Sequence, residues 1–287
     1  MGPGFKYHIV SISAIFFALT IGLVVGSVFV SPQFANRQQN LILQLQRTLN
    51  TDVEEKRHEI TEYKECVATI SPMALKGKLD NTVVAIIQTG DYPEDASHAS
   101  EAIALAQPRG IVHLSMTPSI DRNEDDVRAL LGDLHSRNPI FPERSDGLFQ
   151  AIASVLARGD ATESPILPQY ERESLVRLAT DDNYGLPVKY AVVVTGSRNL
   201  DSMRAARVDI PLIRALVKQG ISVVVCEGGD AVATDIPTLR VSKLDISSVD
   251  NVDTDIGRCA LVLAFGGPRG AYGVKPGVDH LLPTPPQ

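Results

Sequence analysis

Hydrophobic and polar positions change their pattern twice along the chain. From Ile9 to Val30 (IVSISAIFFALTIGLVVGSVFV) no side chain is charged, and at a helical rise of about 1.5 Å per residue the run covers about 30 Å, the hydrocarbon thickness of a bilayer. This predicts a transmembrane helix that ends at Ser31-Pro32. From Phe34 the chain turns polar but periodic. Ile42, Leu45, Leu49, Val53, Ile60, Tyr63, Val67 and Ile70 recur at steps of three, four or seven, with one stutter-like step between Leu49 and Val53. A helix with so narrow an apolar stripe needs a partner, so this segment reads as a coiled-coil stalk ending near Ser71-Pro72.

After Lys78 short β-branched runs alternate with amphipathic stretches. Strands are predicted at Thr82–Gln88, Gly110–Ser115, Lys189–Val194 and Ile221–Cys226, a short one at Leu239–Val241, and a last one at Ala260–Phe265. Helices are predicted at Glu94–Ala106, Asn123–Ser136, Arg144–Ala157, Arg172–Ala179 and Pro211–Gln219. Strands apolar on both faces and separated by helices imply an α/β fold with a Rossmann-like, mostly parallel sheet covered on both sides. The resulting division is 1–31 for the tail and transmembrane helix, 32–72 for the coiled-coil stalk, 73–280 for the α/β domain and 281–287 for a Pro-rich tail.

The first helix is longer than the apolar core of a secretory signal. Although Val25-Gly26-Ser27 resembles a weak cleavage site, apolar residues continue past it, which favours retention as a single-pass anchor. Lys6 precedes the span closely while Arg37 and Arg47 follow at a distance, so the positive-inside tendency places the body outside the cytoplasm. Ala14, Ala18, Gly22 and Gly26 form a stripe of small residues on one face, the pattern that lets two membrane helices approach closely. With the seam of the stalk, it points to a parallel homodimer. Cys66 lies beside seam residue Val67.

Composition narrows the chemistry. The chain carries a net charge of -7 and has no basic stripe interleaved with aromatics, so nucleic acid is not an expected partner; a membrane, and an envelope protein, are. Cys66, Cys226 and Cys259 are scattered, without CxxC or zinc spacing, and the latter two sit in apolar runs as small buried hydrophobes. No G-x-G-x-x-G, P-loop or G-x-S-x-G motif occurs, and no nucleophile and base pair stands out, so no enzymatic activity and no cofactor is expected. His113, in GIVHLS, reads as a core or rim histidine. Met73, Met116 and Met203 are far apart, so no copper site is visible and the metal ligands stay unknown. In open parallel sheets ligands gather beyond the carboxyl ends of strands. Those ends read Thr89-Gly90-Asp91, Ser115-Met116-Thr117, Thr195-Gly196-Ser197-Arg198 and Glu227-Gly228-Gly229-Asp230, which makes Asp91, Ser197 and Asp230 a candidate ligand crevice, although turns favour the same residue types. Asp250, Asp253 and Asp255 in ISSVDNVDTDIGR fit a solvated loop at least as well as a cation site, because their spacing fails the EF-hand template.

The N-terminal HIVSISAIFFALTIGLVVGSVFVS, the stalk, the ISSVDNVDTDIGR loop and the GAYG segment occur in the same order as in the family of the mycobacterial copper transport protein MctB, which the chain resembles over nearly its whole length. The resemblance implies an envelope or outer-membrane protein of copper transport and copper homeostasis, with copper as its metal. By position the family-like residues are Ser248, Val249, Asp250, Asp253, Gly257, Arg258, Gly270, Tyr272 and Gly273. The PTPPQ tail departs from the family pattern. The architecture also suits a non-enzymatic envelope scaffold that presents its α/β body to cell-wall or division machinery. A single helix encloses no pore, so transport requires an oligomer.

Overall fold

The computed structural model describes residues 3–29, 32–121, 124–160, 164–179, 184–200 and 203–284. It divides into two compact units, Met1–Tyr63 and Lys64–Gln287.

The first unit contains α1 (Pro3–Phe29) and most of α2 (Pro32–Leu75). Within α1, Lys6–Ser27 is long and apolar enough to cross a membrane, and none of it is buried. Phe16, Phe17 and Leu23 expose well over half their surface, as an all-round apolar helix must when no protein covers it. Val30 and Ser31, the expected end of the span, lie outside the described residues, as does the end of the Pro-rich tail, 285–287. On α2, Ile42, Leu45, Leu49, Val53, Ile60 and Tyr63 are exposed, with ion pairs Lys56–Glu59, Arg57–Glu54 and His58–Glu62 between them.

The second unit begins inside α2. That helix continues past Pro72 to Leu75, one turn beyond the expected stop. Pro72 removes one backbone donor, but Leu75 is fully buried in the core, and this packing holds the last turn.

The sheet is built from β1 (Val83–Gln88), β2 (Gly110–Met116), β3 (Val176–Leu178), β4 (Tyr190–Val194), β5 (Ser222–Cys226), β6 (Ser247–Val249) and β7 (Ala271–Tyr272). Their spatial order is β3-β2-β1-β4-β5-β6-β7, all parallel except the antiparallel edge pair β2–β3. The helices are α3 (Pro93–Leu105), α4 (Glu124–Arg137), α5 (Ser145–Arg158), α6 (Ile166–Arg172), α7 (Ile210–Lys218), α8 (Ile236–Val241) and α9 (Asp255–Leu263). Alternation along the central strands divides the core. Ala85, Ile87, Val193 and Val225 face a layer containing α4 to α8, whereas Val84, Ile86, Val192 and Val224 face α3, α9 and the end of α2. The crossovers β4–α7–β5 and β6–α9–β7 step the same way across the sheet but on opposite faces, so they have opposite hands, an uncommon pairing.

Several elements differ from the sequence expectation. Ala260–Phe265 is not the last strand: α9 occupies Asp255–Leu263, started by Thr254, whose hydroxyl accepts from Gly257 N at 3.0 Å. Leu239–Val241 is helical, in α8, which begins around Pro237. The helix expected at Arg172–Ala179 ends as α6 at Arg172; Ser174, at a φ of 56°, reverses the chain into β3. The strand that belongs between β5 and β7 is the short, polar Ser247-Ser248-Val249.

Candidate functional site

The chain leaves β1 toward α3 on one face and β4 toward α7 on the other, which leaves a crevice between the carboxyl ends of these adjacent strands. Its floor is laced by backbone: the Thr89 and Gly90 amides donate to Val194 O (2.9 and 3.0 Å), and the Asp91 amide to Gly196 O (2.9 Å). Above it, Ser197 Oγ donates to Asp91 Oδ2 (2.8 Å), the Arg198 amide to the same oxygen (3.1 Å), and Arg204 NH1 to Oδ1 (2.7 Å). Burial pushes the Asp91 carboxyl up, but Arg204, the Arg198 amide and the Ser197 hydroxyl outweigh it and hold the group below the usual carboxylate range. Arg198 stacks over Tyr92 at 4.6 Å and pairs with Glu94.

Beneath this layer, Thr195 Oγ1 lies 2.6 Å from Asp209 Oδ2 and 2.9 Å from Asp235 Oδ2. A hydroxyl has one proton, so it donates to one carboxylate, and the second contact closes only if that carboxyl carries its own proton. Burial raises both carboxyls, Asp209 to about 7, consistent with a shared proton. Both residues open an Asp-Ile-Pro triplet, Asp209-Ile210-Pro211 where the π-helical turn Ala205–Asp209 runs into α7, and Asp235-Ile236-Pro237 just before α8. Neither side chain caps its helix; both turn inward to Thr195.

At the end of β5 the fully buried Glu227 accepts from Lys275 Nζ (2.8 Å), the Asp235 amide (3.2 Å) and the Thr234 hydroxyl. The Gly228 amide donates to buried Asp95 (2.8 Å) and the Gly229 amide to Asp253 (2.7 Å). Burial raises Asp95 to about 6, with Asp230 and Asp253 adding to the shift. Oxygens of Asp95 and Asp230 both lie within 3 Å of where a Cβ on Gly228 would sit. The structure therefore joins Asp91 to Ser197 but places Asp230 with Asp95.

The family-like residues pack around the β6–β7 edge. Ser248 accepts from Arg240 Nε (3.0 Å), Val249 is in the core, and Tyr272 donates to Pro268 O (2.6 Å). Asp250, almost wholly buried, accepts from the amides of Val274 (2.7 Å) and Lys275 (3.3 Å). Gly273 has a φ of 130°, and a Cβ there would stand 1.9 Å from Asp250 Oδ1; one on Gly257 would stand 1.8 Å from Asn251 O. Gly270 accepts from the Ser248 amide, and Arg258 pairs with Glu101 at 3.2 Å.

Among the described residues no three His, Cys, Asp or Glu side chains converge as a metal site. Cys226 is buried, Cys259 lies 3.0 Å from Ser71 Oγ, and Cys66 and Met73 are exposed on α2. His113 Nε2 bonds with Ser100 Oγ at 2.9 Å. Sequence reasoning passed over Asp95, Arg204, Asp209, Glu227, Asp235 and Lys275. For Asp209 and Asp235 the repeated Asp-Ile-Pro was a readable signal; for the others only tertiary contact reveals the role.

A family model described as "Copper transport outer membrane protein, MctB" matches residues 4–283. No curated protein matches the chain.

Proposed function

The chain belongs to the family of MctB copper transport outer membrane proteins, and from that premise we propose that it serves copper transport and homeostasis in the cell envelope as a membrane-anchored oligomer, not as an enzyme. The observation that carries the anchor is the unburied apolar stretch Lys6–Ser27, whose exposure to water would be strongly unfavourable. One helix has no lumen, so copper as cargo requires an assembly of copies. The stripe Ala14, Ala18, Gly22 and Gly26 supports association, since small side chains on one face let two membrane helices approach closely. The exposed apolar row on α2 supports a coiled-coil stalk that pairs with a second copy. The body then faces outward from the membrane.

The test compares cells lacking the protein with cells given back either the full chain or a version in which residues 6–27 are replaced by a soluble helix. Restoration of normal cellular copper by the full chain alone is expected. Restoration by the unanchored version would overturn the anchor, and failure of the full chain to restore it would overturn the copper role.

A second reading, an envelope scaffold, is favoured by one observation: the carboxyls at the strand ends, buried or half-buried, are engaged by the protein's own hydroxyls, amides and cations. On that reading the body presents a surface to an envelope protein. In-cell cross-linking that recovers one specific envelope partner would support it, and recovery of none would count against it.

A further inference from the structure

Beside the β1–β4 crevice, a cleft of about 350 Å³ opens over the carboxyl ends of β1 and β2, within the range of small-ligand sites. The sheet register arranges its polar groups. Gln88 on β1 is level with Ser115 on β2, and Ser115 is level with Arg177 on β3, so the three side chains form one row across adjacent strands, about 4.8 Å from one to the next. Gln88 is fixed: its Nε2 donates to Gly90 O (3.2 Å), and its Oε1 accepts from Ser115 Oγ (3.4 Å). Thr117 is fixed as well, its hydroxyl donating to Ser174 O with Leu175 O at 3.2 Å. Arg177 ends the row, and among the described residues its side chain has no hydrogen bond or ion pair.

The remaining lining supplies an apolar wall and a second guanidinium. Pro93, Met116, Pro118 and Ile120 form the wall. Arg204 is already paired with Asp91, so among the described residues that line the cleft only the charge of Arg177 is uncompensated. On a chain of net charge -7, a pocket with two guanidinia against one carboxylate is a local reversal of sign. The planar guanidinium fork matches a carboxylate with two parallel hydrogen bonds. A doubly charged phosphate would need a second uncommitted cation and would sit near the Asp91 carboxylate, so one free charge suits one negative charge.

We propose that this cleft binds a small organic monocarboxylate, with Arg177 taking the anionic head and the Met116–Ile120 wall covering the apolar body. The site depends on neither copper nor the oligomer, so its success or failure leaves those readings untouched.

The experiment titrates the full chain in detergent micelles with isovalerate, followed by ligand-observed NMR against empty micelles, with isovaleramide and inorganic phosphate as comparators. Saturable binding of isovalerate in the millimolar range or tighter is expected, with isovaleramide much weaker and phosphate unable to displace it. Arg177→Gln should weaken binding by about tenfold or more, since a charge-assisted pair is lost, and Arg177→Lys should fall between. Arg109→Gln, at the opposite end of β2, should bind as the parent does. Because Arg177 is exposed and its side chain makes no bond among the described residues, its variants should keep the parent's melting temperature. Absence of saturable binding, equal affinity in Arg177→Gln, or an amide that binds as well as the acid would overturn the proposal. Displacement by phosphate at equal concentration would overturn the choice of a carboxylate.

Discussion

Replacing Asp209 by Asn should make the protein more stable at alkaline pH and leave it almost unchanged in acid. Asp209 is completely buried, contacts Thr195 Oγ1, and among the described residues its other oxygen, Oδ1, has no hydrogen-bond partner. Burial raises its carboxyl to about 7, against about 3.9 in an unfolded chain. The folded state therefore binds the proton more tightly, and the unfolded state releases it first as pH rises. Stability from this group is complete below about pH 4 and falls by about 1.4 kcal/mol per pH unit up to about pH 7, then levels off. Over about three units the loss approaches about 4 kcal/mol. Asn has the shape of the protonated acid, and its amide can donate to Thr195 Oγ1 at every pH. Thermal unfolding of the full chain in micelles, followed by circular dichroism, measures the effect. The two proteins should melt together near pH 4.5, and the variant should melt higher by several degrees near pH 8, at about 2–4 °C per kcal/mol for a body of this size. Asp95 and Asp235, also raised, should leave part of the slope in the variant. Equal pH dependence in both proteins, or a variant less stable than the parent at pH 8, would refute the shared-proton account.

Lys275→Met should cost about 3–5 kcal/mol, because the buried Glu227 carboxyl would lose its cation; adding Glu227→Gln should restore part of it, and strict additivity in thermal unfolding would argue against a coupled pair. Gly273→Ala should destabilise by about 2 kcal/mol or more, through both its positive φ and the clash with Asp250; an unchanged melting temperature would show that the turn can relax. Leu at Gly22 and Gly26 together should lower self-association in a membrane reporter assay without reducing insertion, and unchanged association would remove the small-residue stripe as an interface.

Three of the four long parallel strands, β1, β4 and β5, were readable because their Val-rich runs are buried on both faces and need no alternation, whereas β2 alternates between buried and half-buried residues. Position within a layer was not. Ala260–Phe265 is as apolar as a strand, yet it belongs to a helix covering the sheet, and the deciding signals are Thr254 and Asp255 just upstream. Ser247-Ser248-Val249 has little apolar character, but its neighbours on both sides bury it. Such a strand is set by pairing, which propensity does not report. At the candidate site, Asp91 and Ser197 could be brought together by the rule for strand ends alone. Asp230 could not be assigned to the other side, because its neighbours Asp95 and Asp253 come from α3 and from the loop after β6. Arg177 is not legible as a site residue because Arg172–Ala179 has the pattern of a helix, whereas the chain pairs there as β3.

The position of β1 between β2 and β4 also has a consequence in time. Its residue Ile87 meets Leu114 on one side soon after synthesis, but its partner on the other side, Val193, comes more than a hundred residues later. At 5–20 residues per second, a ribosome needs about 5–20 s to supply it. Throughout that interval the apolar strand VVAIIQ has one open edge, the kind that recruits strands from neighbouring chains. The nascent protein is thus most adhesive midway through translation, and a pause between Met116 and Tyr190 prolongs that stage, while completion of β4 ends it.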